Sequence, residues 1–220
     1  MLQTILPPKV RLAQSFSNRA DITLFPQEAA VVANSVRKRK DEFTTVRACA
    51  REALRSLGYP PVPLLPGERG APIWPAEVVG SMTHCPGYRA AVVARQSEVM
   101  ALGIDAEPNV PLPDGVLAAI ARPEELAVLK VLPAGGGTAW DRVLFSAKES
   151  VYKAWFPLTR RFLDFQDATV TIAPDGTFTS RILAPGPIVE GRPLPFEGRW
   201  TVSDGLVTTA TVVERTPLSQ

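Results

Sequence analysis

Apolar and polar positions along this chain follow two periods, and the changes of period divide it into elements. Pro26-Gln27-Glu28 opens a helix that the pattern carries to about Val36, with proline and an early acid where a helix N-terminus favours them. The basic run Arg37-Lys38-Arg39-Lys40 follows. A second helix is expected from about Thr44 to Leu57, stopped by Gly58. Val46, Ala50, Leu54 and Leu57 give it an apolar face, and Arg47, Arg51 and Arg55 line up beside that face as a basic stripe. Residues 60–75 are rich in Pro and Gly and read as a loop.

Three short apolar segments come next: Val78–His84, Ala90–Ala94 and Val99–Ile104. They predict neighbouring strands, the first two separated by the turn Cys85-Pro86-Gly87-Tyr88. Pro123–Leu132 predicts a short helix and Pro133-Ala-Gly-Gly-Gly a flexible break. A longer helix should run from about Thr138 to Trp155. Trp140, Val143, Leu144, Ala147, Val151 and Trp155 form its apolar stripe, and Glu149 and Lys153 lie opposite, one turn apart. Asp175-Gly176 and Asp204-Gly205 are hairpin turns between C-terminal strands. A helix–strand half is thus followed by another, joined near residues 103–112. The expected fold class is α+β, with halves at residues 1–104 and 105–220 and no long linker between them.

Composition narrows the class. A chain of 220 residues with 45% hydrophobic and 21% charged residues can bury a real core. Its 24 basic and 22 acidic residues leave a balance of +2, which argues against a wholesale nucleic-acid binder. Two cysteines, Cys49 and Cys85, exclude a disulfide framework and a four-cysteine zinc site. The start has no charged segment followed by a long apolar one, and no run approaches the length of about 18 apolar residues that suggests a membrane span. A soluble cytoplasmic protein is the expectation.

Candidate chemistry lies in two places. Asp105 and Glu107 end an extended segment at i and i+2, so they point to the same side and repel each other unless a cation intervenes. Mg²⁺ suits such a pair, because it prefers oxygen ligands and keeps waters and phosphates in its shell. Glu149 adds a third carboxylate, and the flanking Lys148 and Lys153 suit phosphate oxygens. Each piece alone is also what an ordinary solvated surface carries. His84, the only histidine, follows Thr83 and precedes Cys85. Adjacent strand residues point to opposite faces, which disfavours a Cys–His nucleophile and leaves His84 as a phosphate donor or a structural residue. Arg39 and Arg47, with Arg51 and Arg55, suit an anionic ligand, and Arg69 sits in a loop able to approach one.

At these residues the chain resembles the phosphopantetheinyl transferases, in particular the single-chain bacterial type that serves polyketide, nonribosomal-peptide and fatty-acid carrier proteins. Val79-Gly-Ser-Met-Thr-His84-Cys, Leu102-Gly-Ile-Asp105-Ala-Glu107-Pro108 and Phe145-Ser-Ala-Lys148-Glu149-Ser-Val-Tyr-Lys153-Ala carry the match. A looser block runs from Arg39 to Arg47. The resemblance implies a pseudo-dimer of two similar α+β halves. It implies transfer of 4′-phosphopantetheine from coenzyme A to a serine of an acyl or peptidyl carrier protein, releasing adenosine 3′,5′-bisphosphate. Asp105, Glu107 and Glu149 would then bind Mg²⁺ (or Mn²⁺), with Glu149 also the base, directly or through a water. Lys153 would stabilise charge on the diphosphate and Lys148 would help to hold coenzyme A. Thr83 and His84 would contact its phosphates, with Arg39 and Arg47 at the 3′-phosphate. A monomer without nucleic-acid or membrane partners is expected.

The chain departs from the pattern at Gly70-Ala71-Pro72, where many relatives have Gly-Lys-Pro; Arg69 is the candidate replacement. Ala106, between the paired acids, cannot ligate a metal. Two alternatives stand beside the transferase. One is another Mg²⁺-dependent phosphoryl-transfer enzyme, though not a P-loop enzyme, since that motif is absent. The other is a non-catalytic coenzyme A or nucleic-acid binding module.

Overall fold

A computed structural model describes residues 1–19, 21–133, 136–189 and 191–215. The chain begins with strand β1 (Arg11–Ser15), the short helix α1 (Pro26–Val31) and the long helix α2 (Arg37–Ser56). Strands β2 (Val78–Cys85), β3 (Tyr88–Arg95) and β4 (Val99–Pro108) follow. Helices α3 (Val116–Ile120), α4 (Pro123–Val131) and α5 (Trp140–Thr159) lead to β5 (Ala168–Ile172) and β6 (Thr177–Ile182). The small pair β7 (Ile188–Val189) and β8 (Arg192–Pro193) precedes β9 (Phe196–Ser203) and β10 (Leu206–Glu214).

The expected α+β pseudo-dimer is present. One antiparallel sheet has the order β1-β3-β2 and carries α2; the other has the order β4-β10-β9-β6-β5 and carries α5. Each of these helices is 20 residues long. Cys49, Ala50, Ala53 and Leu54 of α2 pack against Ala91 and Val93 of β3. Val143, Leu144, Ala147, Val151 and Trp155 of α5 pack with Phe178, Phe196 and Val207, so the predicted stripe is the buried face. The opposite faces of the sheets share a third core of Tyr88, Ala90, Val92, Leu102, Ile104 and Ala210.

Several expectations are corrected. The basic run Arg37–Lys40 does not follow a helix that reaches Val36; it forms the first turns of α2, and α1 ends at Val31. Cations at a helix N-terminus oppose its dipole. Here Asp41 answers Arg37 one turn on, at 3.2 Å, and burial of Phe43 and Val46 fixes the helix. β4 runs unbroken through residue 104 and pairs with β10, so residues 99–104 lie in the second sheet. β2 and β4 are neighbours without a backbone ladder. The Ser81 hydroxyl accepts from Ile104 N at 3.0 Å and the Thr83 hydroxyl from Ala106 N at 3.1 Å, so side chains join the two halves. Helix α3 has no counterpart in the sequence reading, and α5 extends past Trp155 to Thr159. Of the expected flexible break, Ala134 and Gly135 lie outside the described residues.

Two local features set up the site. Asp204 and Gly205 both take positive φ, 54° and 73°, the geometry of a tight hairpin, and this fixes the register of β10 against β9; β10 in turn pairs with β4. Gly103 lets α5 cross β4 closely: a Cβ there would lie 1.9 Å from the Ser150 carbonyl oxygen. The helix therefore lies on the odd-numbered face of β4, the face that carries Asp105 and Glu107.

Candidate active site

A cleft of about 550 Å³ opens between the halves. Residues from α2, the loop at 66–74, β2 and the C-terminal part of α5 line it, among them Arg39, Arg47, Arg69, His84, Glu149 and Lys153. The size suits a small-molecule site. Its charge comes from several arginines and one lysine around one carboxylate, so it favours an anion.

Lys153 and Asp105 meet beside Glu149. The close crossing at Gly103 brings Lys153 Nζ within 2.8 Å of Asp105 Oδ1 and 3.1 Å of the Ile104 carbonyl. Asp105 is 4% exposed, and its Oδ1 also receives the Thr83 hydroxyl at 3.3 Å. Its Oδ2 is buried without a partner. Burial raises the pKa of Glu149, the Asp105 charge adds to that, and Lys153 opposes it. Glu107 is raised in the same way by burial and by Asp105, against Arg142 and Lys153. Both glutamates thus feel the Asp105 charge.

They do not form a closed metal cage. Among the described residues no three Asp, Glu, His or Cys side chains gather closely enough to enclose an ion by themselves. Lys153 is bonded to Asp105, and Arg142 donates to Glu107 Oε2 at 3.1 Å. The donor set still fits Mg²⁺, which is usually held by one or two carboxylates with waters and phosphate oxygens completing the shell. The orphaned Asp105 Oδ2 is a ready ligand, since a buried carboxylate oxygen without a partner is costly.

At the other end of the cleft, Arg39 Nη1 lies 3.1 Å from His84 Nε2. Arginine can only donate, so Nε2 accepts and the imidazole is neutral with its proton on Nδ1. Burial lowers the His84 pKa, and Arg39, Lys153 and Arg89 act in the same direction against Glu42. Glu42 is buried 3.8 Å from His84 Nδ1 and 3.7 Å from Arg89. Arg47 donates to the Leu64 carbonyl at 3.3 Å, and its guanidinium lies 3.7 Å from the Phe43 ring centre. Burial lowers its pKa to about 10, so it stays charged at neutral pH. Arg69 takes a positive φ of 51°, a conformation disfavoured for arginine, and stands over Phe162 at 5.1 Å.

Three other predicted features lie elsewhere. Lys148 does not face the cleft. It is buried, and Nζ donates to the carbonyls of Ile120, Phe165 and Ala168 and pairs with Glu125 at 2.8 Å. A residue next to Glu149 sits about 100° round the helix, which turns it towards α4 and β5. Thr83 spends its hydroxyl on Asp105 and Ala106 and does not line the cleft. The stripe of α2 divides as well: Arg51 is locked on buried Glu28 at 2.9 Å, and neither it nor Arg55 lines the cleft. Glu42 and Arg142 were not anticipated. Arg142 lies seven residues before Glu149 on the same face of α5, and Glu42 lies three after Arg39 on α2; both spacings are visible in the sequence.

Residues 27–94 match the 4′-phosphopantetheinyl transferase N-terminal domain, and residues 101–201 match the 4′-phosphopantetheinyl transferase superfamily. The chain is 56% identical to 4′-phosphopantetheinyl transferase Svp of Streptomyces mobaraensis, over 97% of this chain and 89% of that protein. It is 49% identical to 4′-phosphopantetheinyl transferase PptT of Mycobacterium tuberculosis, over 97% and 98%. It is 46% identical to 4′-phosphopantetheinyl transferase Npt of Nocardia iowensis, over 96% and 98%. Among the described residues no helix is long and apolar enough to cross a membrane.

Proposed function

This chain belongs to the 4′-phosphopantetheinyl transferases, and on that premise we propose that it moves 4′-phosphopantetheine from coenzyme A to a serine of an acyl or peptidyl carrier protein, with Mg²⁺. The observation that carries this reading is the pairing of Lys153 with Asp105, whose other carboxylate oxygen is buried without a partner, at the edge of an arginine-rich cleft that Lys153 and Glu149 line.

Coenzyme A would take the cleft, with its 3′-phosphate towards Arg39, Arg47 and His84 and its diphosphate towards Lys153. Arg69 supplies a further charge from the loop. Asp105, Glu107 and Glu149 would hold Mg²⁺, which when bound neutralises charge growing on the diphosphate. Glu149 takes the proton of the carrier serine, directly or through a water. The serine oxygen forms a bond to the phosphorus that carries pantetheine. The bond from that phosphorus to the bridging oxygen breaks, and adenosine 3′,5′-bisphosphate leaves. Lys153 offsets the charge that develops on the leaving side. Thr83 keeps Asp105 oriented. The working form is read as a cytoplasmic monomer, with Mn²⁺ able to replace Mg²⁺.

Glu149→Gln tests the assignment. Coenzyme A binding by calorimetry without added divalent ion should change less than about threefold, while transfer to an apo carrier falls at least about 100-fold. Full transfer by this variant would remove Glu149 from the base role.

A further inference from the structure

Arg142 is built into the structure with more bonds than a surface arginine needs. Nε donates to the Val110 carbonyl and Nη2 to the Pro111 carbonyl, both at 3.0 Å. Nη1 donates to Glu107 Oε2 at 3.1 Å. The neighbouring Asp141 accepts from Leu112 N at 2.8 Å, so the same turn of α5 grips the chain leaving β4. The Arg142 side chain is only 12% exposed, so this charge is poorly screened where it meets Glu107. Lys153 holds Asp105 in the same way from the other side. One cation therefore rests on Glu107 and another on Asp105 before any ligand arrives.

We propose that Arg142 is a positioning residue that restrains Glu107 and keeps metal affinity low until coenzyme A is present. This rests on the function proposed above. A divalent cation approaching Glu107 meets the Arg142 charge and competes for the same oxygen. Lys153 is mobile enough, on its four-carbon stem, to move from Asp105 to a diphosphate. Arg142 is anchored by two carbonyls and stays. The diphosphate brings its own oxygens and negative charge, which offset the Arg142 charge and complete the metal shell. Metal and coenzyme A then strengthen each other's binding by the same factor, as linkage requires.

Mn²⁺ titration of the full chain, followed by electron paramagnetic resonance of the free ion, tests this without measuring transfer. For the parent protein, saturating coenzyme A should tighten Mn²⁺ binding by about tenfold or more. Arg142→Gln removes the charge and leaves one side-chain amide as donor. It should bind Mn²⁺ about tenfold more tightly than the parent without coenzyme A, and show correspondingly weaker coupling. Arg142→Lys keeps the charge and should stay close to the parent. A purely structural role for Arg142 would weaken Mn²⁺ binding or leave it unchanged. The proposal is overturned if Arg142→Gln binds Mn²⁺ no more tightly than the parent, including undetectable binding by both. It is also overturned if Arg142→Lys tightens equally, or if the parent shows no coupling, which needs no variant to fold. Transfer by the parent to an apo carrier reports separately on the function, so the two failures are distinguishable.

Discussion

Replacing Lys148 by Met separates a structural lysine from a ligand-binding one. Lys148 Nζ has four acceptors: Glu125 at 2.8 Å and the carbonyls of Phe165 at 2.6 Å, Ile120 at 3.0 Å and Ala168 at 3.0 Å. Burial lowers the lysine pKa, while Glu125 supports the charge. Methionine fills much of the volume but donates nothing. Glu125, 1% exposed, would keep only the backbone amides of Val170 and Arg122, at 2.6 and 2.7 Å. Removing one partner of such a pair costs about 3–5 kcal/mol. For a chain of this size that lowers Tm by about 10 °C. Equilibrium urea unfolding at low temperature measures the loss, and calorimetry on the folded variant measures coenzyme A affinity. The expected result is a lower urea midpoint with coenzyme A affinity within about threefold of the parent. Lys148→Met with Glu125→Leu should recover a large part of the stability, because the stranded carboxylate is gone. A parent-like urea midpoint with a tenfold or greater loss of coenzyme A affinity would refute the structural role and return Lys148 to the cleft.

Thr83→Val removes the donor to Asp105 and the acceptor for Ala106 N, so it should cost about 1–3 kcal/mol in urea and slow transfer, while Thr83→Ser stays near the parent. Gly103→Ala drives a methyl group into the Ser150 carbonyl and should destabilise by about 3 kcal/mol; an unchanged urea midpoint would show that α5 does not cross so closely. The unique His84 can be followed by NMR, and its midpoint should lie below 6.5. Since the unfolded chain then binds the proton more readily, His84 should reduce stability as pH falls below 6.5, an effect that Gln in its place should abolish.

The parts legible in the sequence are those fixed by local periodicity. The stripe from Val143 to Trp155 needed only helical spacing, and the Asp204-Gly205 turn only its residue types. Asp105 and Glu107 were readable as neighbours because strand residues two apart share a face. The start of α2 was not readable: its first turn carries four cations, and only tertiary burial of Phe43 and Val46 overrides their conflict with the helix dipole. Lys148 was misplaced because the motif puts it beside Glu149, while its partners Glu125, Ile120, Phe165 and Ala168 come from segments 17 to 28 residues away. The contact of the Thr83 hydroxyl with Asp105 comes from the parallel approach of β2 to β4, which leaves no sequence signal. Arg142 could have been found by extending the Glu149–Lys153 face back two turns.

The most direct measurement is the intact mass of an apo carrier protein after incubation with this chain, coenzyme A and Mg²⁺. A gain of one phosphopantetheine group on the carrier serine is expected. The gain should require the added ion and should be lost with Asp105→Ala. An unchanged mass for acyl and peptidyl carriers alike, with the protein folded, would contradict the transfer reaction.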